Sequence, residues 1–187
     1  MSTATIAVLA PSWNTGAVEI IPSPWIQVKD GNPVARALFS RHYTYNRKRE
    51  QMSFFAAKNR NYKHFVGPGE KMVLLTPDES AMFVWRKFRS MDNQAGVNCA
   101  VFRNEGKTRS SDLIRAAMRW AWLRWPGERL YTYVNPGAVR SRNPGYCFIA
   151  AGWRRCGATK AKGLLILEVF DGATSTADSP CASEKRA

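Results

Sequence analysis

The stretch that most limits what this chain can become is residues 97–125, where a β-rich segment, a cationic turn and a long amphipathic segment follow without a break. Val97 to Phe102 reads as a strand. Ser110 or Ser111 can then cap a helix that continues through Asp112, Leu113 and Ile114 to Trp125, where Pro126-Gly127 stops it. Ile114, Ala117, Met118, Ala121 and Trp125 recur at three- and four-residue steps, the spacing of one buried helix face. Trp120 and Trp122 cannot both share that stripe, and Asp112 suits the positive end of the helix dipole. A helix with one such apolar face needs a sheet to lie on, and the rest of the chain has to supply it.

The flanking segments do so. Ala17 to Ile21 and Trp25 to Lys29 read as short strands, and the prolines between them, Pro22 and Pro24, place them at an edge. Asn32 followed by Pro33 starts a helix that runs through Phe39 towards Tyr43. Lys71 to Thr76 and Ala81 to Phe88 flank the turn Pro77-Asp78-Glu79-Ser80 as a hairpin. Arg129 to Val134 gives another strand, Gly145 to Ala151 a short helix, and Gly163 to Phe170 a last strand. The order predicts an α/β (α+β) fold with a mixed, mainly antiparallel central sheet flanked by helices. The 187 residues suit one core: a single domain over residues 1–171, with a flexible polar tail at 172–187.

Charge narrows the partners. Against 14 acidic residues stand 28 Lys plus Arg, a net +14, which favours a polyanion through steering and counter-ion release. The cations cluster in a basic loop insertion at about 45–71, where Arg47, Lys48, Arg49, Lys58, Arg60, Lys63 and His64 alternate with Phe54, Phe55, Tyr62 and Phe65. That composition suits a surface that tracks a nucleic-acid backbone and stacks a displaced base, although some of these aromatics belong to the core. The plain alternative is surplus charge kept for solubility.

No run approaches the roughly 20 apolar residues of a membrane span. The N-terminus lacks the basic segment and cleavage site of a secretory signal, so the expectation is a cytoplasmic protein without membrane association. Cys99, Cys147, Cys156 and Cys181 share no C-x-x-C spacing and read as free thiols rather than metal ligands.

Chemistry is expected between the strand and the long helix, where free backbone amides and the helix dipole readily hold phosphate. There Arg103-x-x-Gly106, with Thr108 at the next small position, resembles the pyrophosphate-binding turn of the GNAT acyltransferases. That pattern is Gln or Arg, two residues, Gly, one residue, then Gly or Ala, so Thr108 is a departure. Downstream, Asn135-Pro136 at a strand end, a short helix and Ala151-Gly152-Trp153 resemble the family's second cofactor segment.

The resemblance covers roughly residues 71–170. Within the superfamily it is closest to phage Mom-like DNA-modification proteins, which elaborate the exocyclic amine of adenine by methylcarbamoylation. It implies acetyl-CoA or another acyl-CoA at Arg103, Gly106, Thr108, Ser110, Ser111 and Asn143, DNA as partner, and the cytoplasm of a bacterial host as location. Asn135 stands where Mom-like proteins usually have Asp, and Phe148 where the family has a phenolic Tyr, with Tyr146 the nearest phenol. The sequence names no donor and leaves participation of iron open.

Among groups for proton transfer, His42 closes the first helix beside aromatic faces, and its plain role is to cap helix carbonyls. Glu105 beside the turn is either a general base or an ion-pair partner. Tyr146 and Asn135 complete the candidate catalytic set. Arg41, Tyr43 and Tyr45 join the loop cations as nucleic-acid contacts, and Arg140 and Arg142 can hold phosphates of nucleic acid or coenzyme. Two rival functions stand beside DNA-base modification: an acyl-CoA-dependent N-acetyltransferase for a small-molecule or protein amine, and a non-catalytic nucleic-acid binder on the same fold. Oligomeric state is open.

Overall fold

The computed structural model of the chain describes residues 23–45, 64–90, 93–139 and 141–172. In chain order the elements are β1 (Ile26–Val28), α1 (Pro33–Ser40), β2 (Glu70–Leu75), β3 (Ala81–Lys87), β4 (Val97–Asn104), α2 (Ser110–Arg124), β5 (Leu130–Val134), α3 (Tyr146–Ile149), β6 (Arg154–Ala158) and β7 (Leu165–Val169). They build one seven-stranded sheet in the order β1-β2-β3-β4-β5-β7-β6. Every neighbouring pair is antiparallel except β4–β5. This is the mixed, mostly antiparallel α+β arrangement expected from the sequence, with three helices among the described residues.

Strand alternation sends side chains to two cores. Met72, Leu74, Ala81, Phe83, Trp85, Val97 and Cys99 face α2 and α3, whereas Val73, Leu75, Met82 and Val84 pack with Ala35 and Leu38 of α1. The helix α2 stripe is buried as its spacing required, and indole nitrogens fasten it to the sheet side. Trp25 donates to the Leu113 carbonyl at 2.9 Å, Trp85 to that of Ala117 at 3.0 Å, and Trp153 to Met118 Sδ at 3.1 Å. Trp120 and Trp122 flank the stripe, half-buried, bonded to Ser23 Oγ and the Glu128 carbonyl.

One irregularity shapes the site. Val84 pairs with Val101 but Trp85 with Cys99, so Ala100 is an extra residue, a β-bulge. Ala100 and Val101 consequently both pack on the α1 side, and Phe102 returns to the α2 side. At the same place the parallel ladder ends. It pairs Val97, Asn98 and Cys99 with Leu130, Tyr131 and Thr132, although β4 continues to Asn104 and β5 to Val134.

Several expectations are corrected. The first helix stops at Ser40, short of Tyr43, with Arg41 at its C-cap; its start is as expected, Asn32 Oδ1 accepting from the amides of Val34 and Ala35. Neither serine caps α2: Arg109 occupies the cap position without a side-chain bond, and Ser110 is already helical. Strand β6 went unforeseen because Arg154–Ala158 has no apolar alternation and is defined by pairing with β7. The strand expected at Ala17–Ile21, residues 46–63 of the basic insertion and the tail beyond 172 lie outside the described residues. Among those described, no helix is long and apolar enough to cross a membrane.

Candidate functional site

Where β4 and β5 part, a cavity of about 140 Å³ opens, lined by backbone and side chains of both strands and closed by Phe148 on one side and His42 and Tyr43 on the other. Crevices at the carboxyl ends of parallel strands are where open α/β sheets place ligands. Phe148 is buried and edge-on to Phe102 and Trp153, with centroids 6.0 and 4.9 Å away, and it lines the cavity.

The opposite wall is held by ions. Arg41 Nε and Nη2 each donate to a Glu105 oxygen at 2.8 Å, and Arg103 Nε donates to Oε1 at 2.5 Å. Arg103 Nη1 also donates to the Arg41 carbonyl. These bonds tie the end of α1 to the end of β4 and set His42 and Tyr43 over the opening. Bonding to Arg41 first and Arg103 second holds the Glu105 pKa down to about 2. Of its two sequence readings the structure shows the ion pair; a carboxylate so acidic and so fully engaged is a poor general base.

His42 Nδ1 accepts from the Thr44 amide at 3.3 Å and lies 2.8 Å from Thr44 Oγ1. That leaves the proton on Nε2 in the neutral ring. Burial, then the Arg103 charge, push the His42 pKa down to about 4, against a smaller opposing pull from the Phe102 backbone. Its ring lies 4.3 Å from that of Tyr43. Burial raises the Tyr43 pKa, countered in part by the Asn135 backbone, and the hydroxyl points to the Tyr133 carbonyl at 3.5 Å. Burial likewise raises both cavity thiols, Cys99 and Cys147, so they stay protonated and are not nucleophiles at neutral pH.

The imidazole should therefore titrate by NMR with a midpoint near pH 4 instead of the ordinary 6.5, and Arg103→Ala should raise it. A wild-type midpoint near 6.5 would mean a solvated ring. Because the unfolded chain takes up this proton first, stability falls as pH drops from 6.5 towards about 4 and does not change with His42 outside that window.

Other expected residues are dispersed. In the turn after β4, Asn104 Oδ1 accepts from the Gly106 amide at 3.0 Å, and its Nδ2 donates to the Thr108 carbonyl at 2.7 Å and Ser110 Oγ at 3.0 Å. Gly106 packs closely on the β2–β3 turn, where an added Cβ would fall 2.2 Å from Ser80 Oγ and 3.0 Å from its Cβ, so that Ser80 would have to turn aside. Ser111 is buried. Asn135 Oδ1 accepts from the Gly137 amide at 3.0 Å, closing its own turn, and Asn143 Oδ1 accepts from Arg155 Nη2 at 2.5 Å.

Tyr146 is 60% exposed and does not line the cavity. Tyr45 packs edge-on to Phe39 at 5.6 Å. Arg142 is exposed, and Arg47, Lys48, Arg49, Lys58, Arg60 and Arg140 lie outside the described residues. The sequence reading missed the lining by Cys99, Thr132, Tyr133 and Cys147, because no local pattern marks where two parallel strands separate.

No protein-family model, curated protein or solved structure matches this chain. Among the described residues, no three His, Cys, Asp or Glu side chains gather to hold a metal ion.

Proposed function

We propose that this chain is a transferase that modifies a nucleic-acid base, elaborating the exocyclic amine of adenine in DNA, as its resemblance to Mom-like proteins implies. The observation that carries the reading is the cleft between β4 and β5: aromatic-walled, lined by neutral groups, and about 140 Å³ in volume. A cavity of about 150 Å³ takes one benzene-sized guest, whereas drug-sized sites run to roughly 300–1,000 Å³. One ring or a short acyl group fits, and the charged remainder of either reactant stays outside.

The electrostatics favour a base over an alkyl amine. An alkylammonium must lose a proton before it attacks, which calls for a base near neutrality. Glu105 at about 2 and His42 at about 4 are both too acidic for that task. The amine on an aromatic base is already neutral, so a cleft of neutral donors suits it. Its nitrogen bonds to the carbonyl carbon of the donor, the donor's leaving atom departs with the bonding electron pair and takes a proton, and the amine's proton passes to solvent.

Tyr43, a phenol protonated at neutral pH that lines the cleft with 43% of its surface exposed, would give the leaving atom its proton, and His42 Nε2–H would bond the developing oxyanion. An acyl-CoA would supply the activated carbonyl, but the turn residues that the resemblance implies are not free to hold its phosphates. Gly106 and Arg103 already serve internal bonds.

Co-expression with plasmid DNA in several hosts, followed by digestion and mass analysis of nucleosides, tests the reading. A new mass on deoxyadenosine is expected. A new mass on another nucleoside rejects adenine, and unmodified DNA in every host rejects base modification. In the same assay Tyr43→Phe should lower product by about 10²-fold, while Tyr146→Phe should leave it unchanged; the reverse pattern would restore Tyr146 as the acid.

A further inference from the structure

The carboxyl ends of β4 and β5 lie at one end of the sheet, and pairing places further loops there. Val134 pairs with Leu165 and Leu165 with Ala158, so the β6–β7 turn sits beside the end of β5. Ala81 pairs with Asn104, so the β2–β3 turn sits beside the end of β4. Charge at this end is uneven. Lys107 and Arg109 follow β4, Arg142 follows β5, and Lys160 and Lys162 occupy the β6–β7 turn, all exposed.

Acids on that half are already engaged: Glu105 by Arg41 and Arg103, Asp112 by Arg115. The carboxylates of this end that no Lys or Arg pairs with among the described residues, Asp78, which accepts from Ser80, and Glu79, lie on the β2–β3 turn, at the other side of the opening.

We propose that these cations form a track for the phosphate backbone of a single nucleic-acid strand, running from the β4–α2 turn across the cleft mouth to the β6–β7 turn, with the acidic turn excluding it from the β2–β3 side. The identity of the polyanion rests on the reading above; the position of the track rests on topology. Strands lie about 4.8 Å apart, so the β4 and β6–β7 ends of the track are separated by roughly 14 Å. That is wide for one pyrophosphate and leaves room for more than one phosphate of a single strand tracking a cationic groove. A strand lying there holds its middle bases over a cavity sized for one ring.

Binding of a labelled single-stranded oligonucleotide, followed by fluorescence anisotropy across a salt series, tests this on the full chain. Each phosphate contact adds about 0.7 to the slope of log K against log salt for a single strand. Lys107→Ala/Arg109→Ala and Lys160→Ala/Lys162→Ala should each lower the slope by about 1.4. Lys29→Ala/Arg89→Ala, the same charge change at the opposite end of the sheet, should leave it unaltered, with folding checked by circular dichroism.

An equal loss in that control would mean diffuse attraction by net charge and overturn the track. A loss confined to Lys107 and Arg109 would mean contacts at the β4–α2 turn alone, without a track across the cleft mouth, and overturn it as well. Binding needs no turnover, so unmodified nucleosides alongside the expected slopes would sink the transferase reading and leave the track standing.

Discussion

Replacing Trp85 by alanine lowers the unfolding free energy by about 4 kcal/mol, read as a fall of about 2 M in the urea midpoint. The side chain is fully buried between the sheet and α2, stacked at 6.3 Å on Trp153 and bonded to the Ala117 carbonyl. Alanine removes the ring contacts and the indole donor together and leaves a cavity that the two packed layers cannot close. Trp85→Phe keeps an aromatic ring there and should lose about 1 to 2 kcal/mol. A shift as small as that for the alanine variant would show that α2 does not depend on this anchor.

The second large effect comes from Glu168, 2% exposed in the middle of β7. Its carboxylate accepts from Arg129 Nε at 2.6 Å and from Arg154 Nη2 at 2.8 Å and Nε at 3.1 Å. Arg129 also donates to Gln94 Oε1 and to the Ala95 carbonyl, so the cluster joins β5, β6, β7 and the approach to β4. Removing one partner of a buried pair strands the other charge. Glu168→Ala should therefore cost about 3 to 5 kcal/mol, and Arg129→Ala a similar amount. Arg154, with 40% of its side chain exposed, can return to water and should cost about 1 kcal/mol or less. Urea denaturation of the three variants checks the ranking; equal small losses would mean the cluster is solvated.

What the sequence made legible follows from how local each signal is. Asn32-Pro33, the Pro77–Ser80 turn and the α2 stripe are statements about neighbouring residues, and the structure places all three as read. β6 was hidden because its partner lies across a turn and its own composition is polar. Within the site, the sequence put phosphate chemistry at Gly106 and a phenol at Tyr146. Side-chain packing accounts for the first through Ser80, and exposure separates the second from the cavity. Tyr43, read as a stacking residue, lies against the cleft because Arg41 and Glu105 hold the end of α1 there, a contact across 64 positions that no local pattern encodes.

The extra residue at Ala100 also fixes parity along β4. Upstream of it odd-numbered positions face α2, and downstream of it even-numbered ones do: Cys99 before, Phe102 after. Were the bulge drawn into regular pairing with every residue kept, Phe102 and Arg103 would exchange faces, turning a guanidinium into the aromatic core beneath α2 and a ring towards the carboxylate of Glu105. Single substitutions between Cys99 and Asn104 change one contact each. Deletion of Ala100 would instead restore plain alternation and leave Phe102 and Arg103 on their present faces, so the strand end is sensitive to where the spare residue is absorbed rather than to its presence.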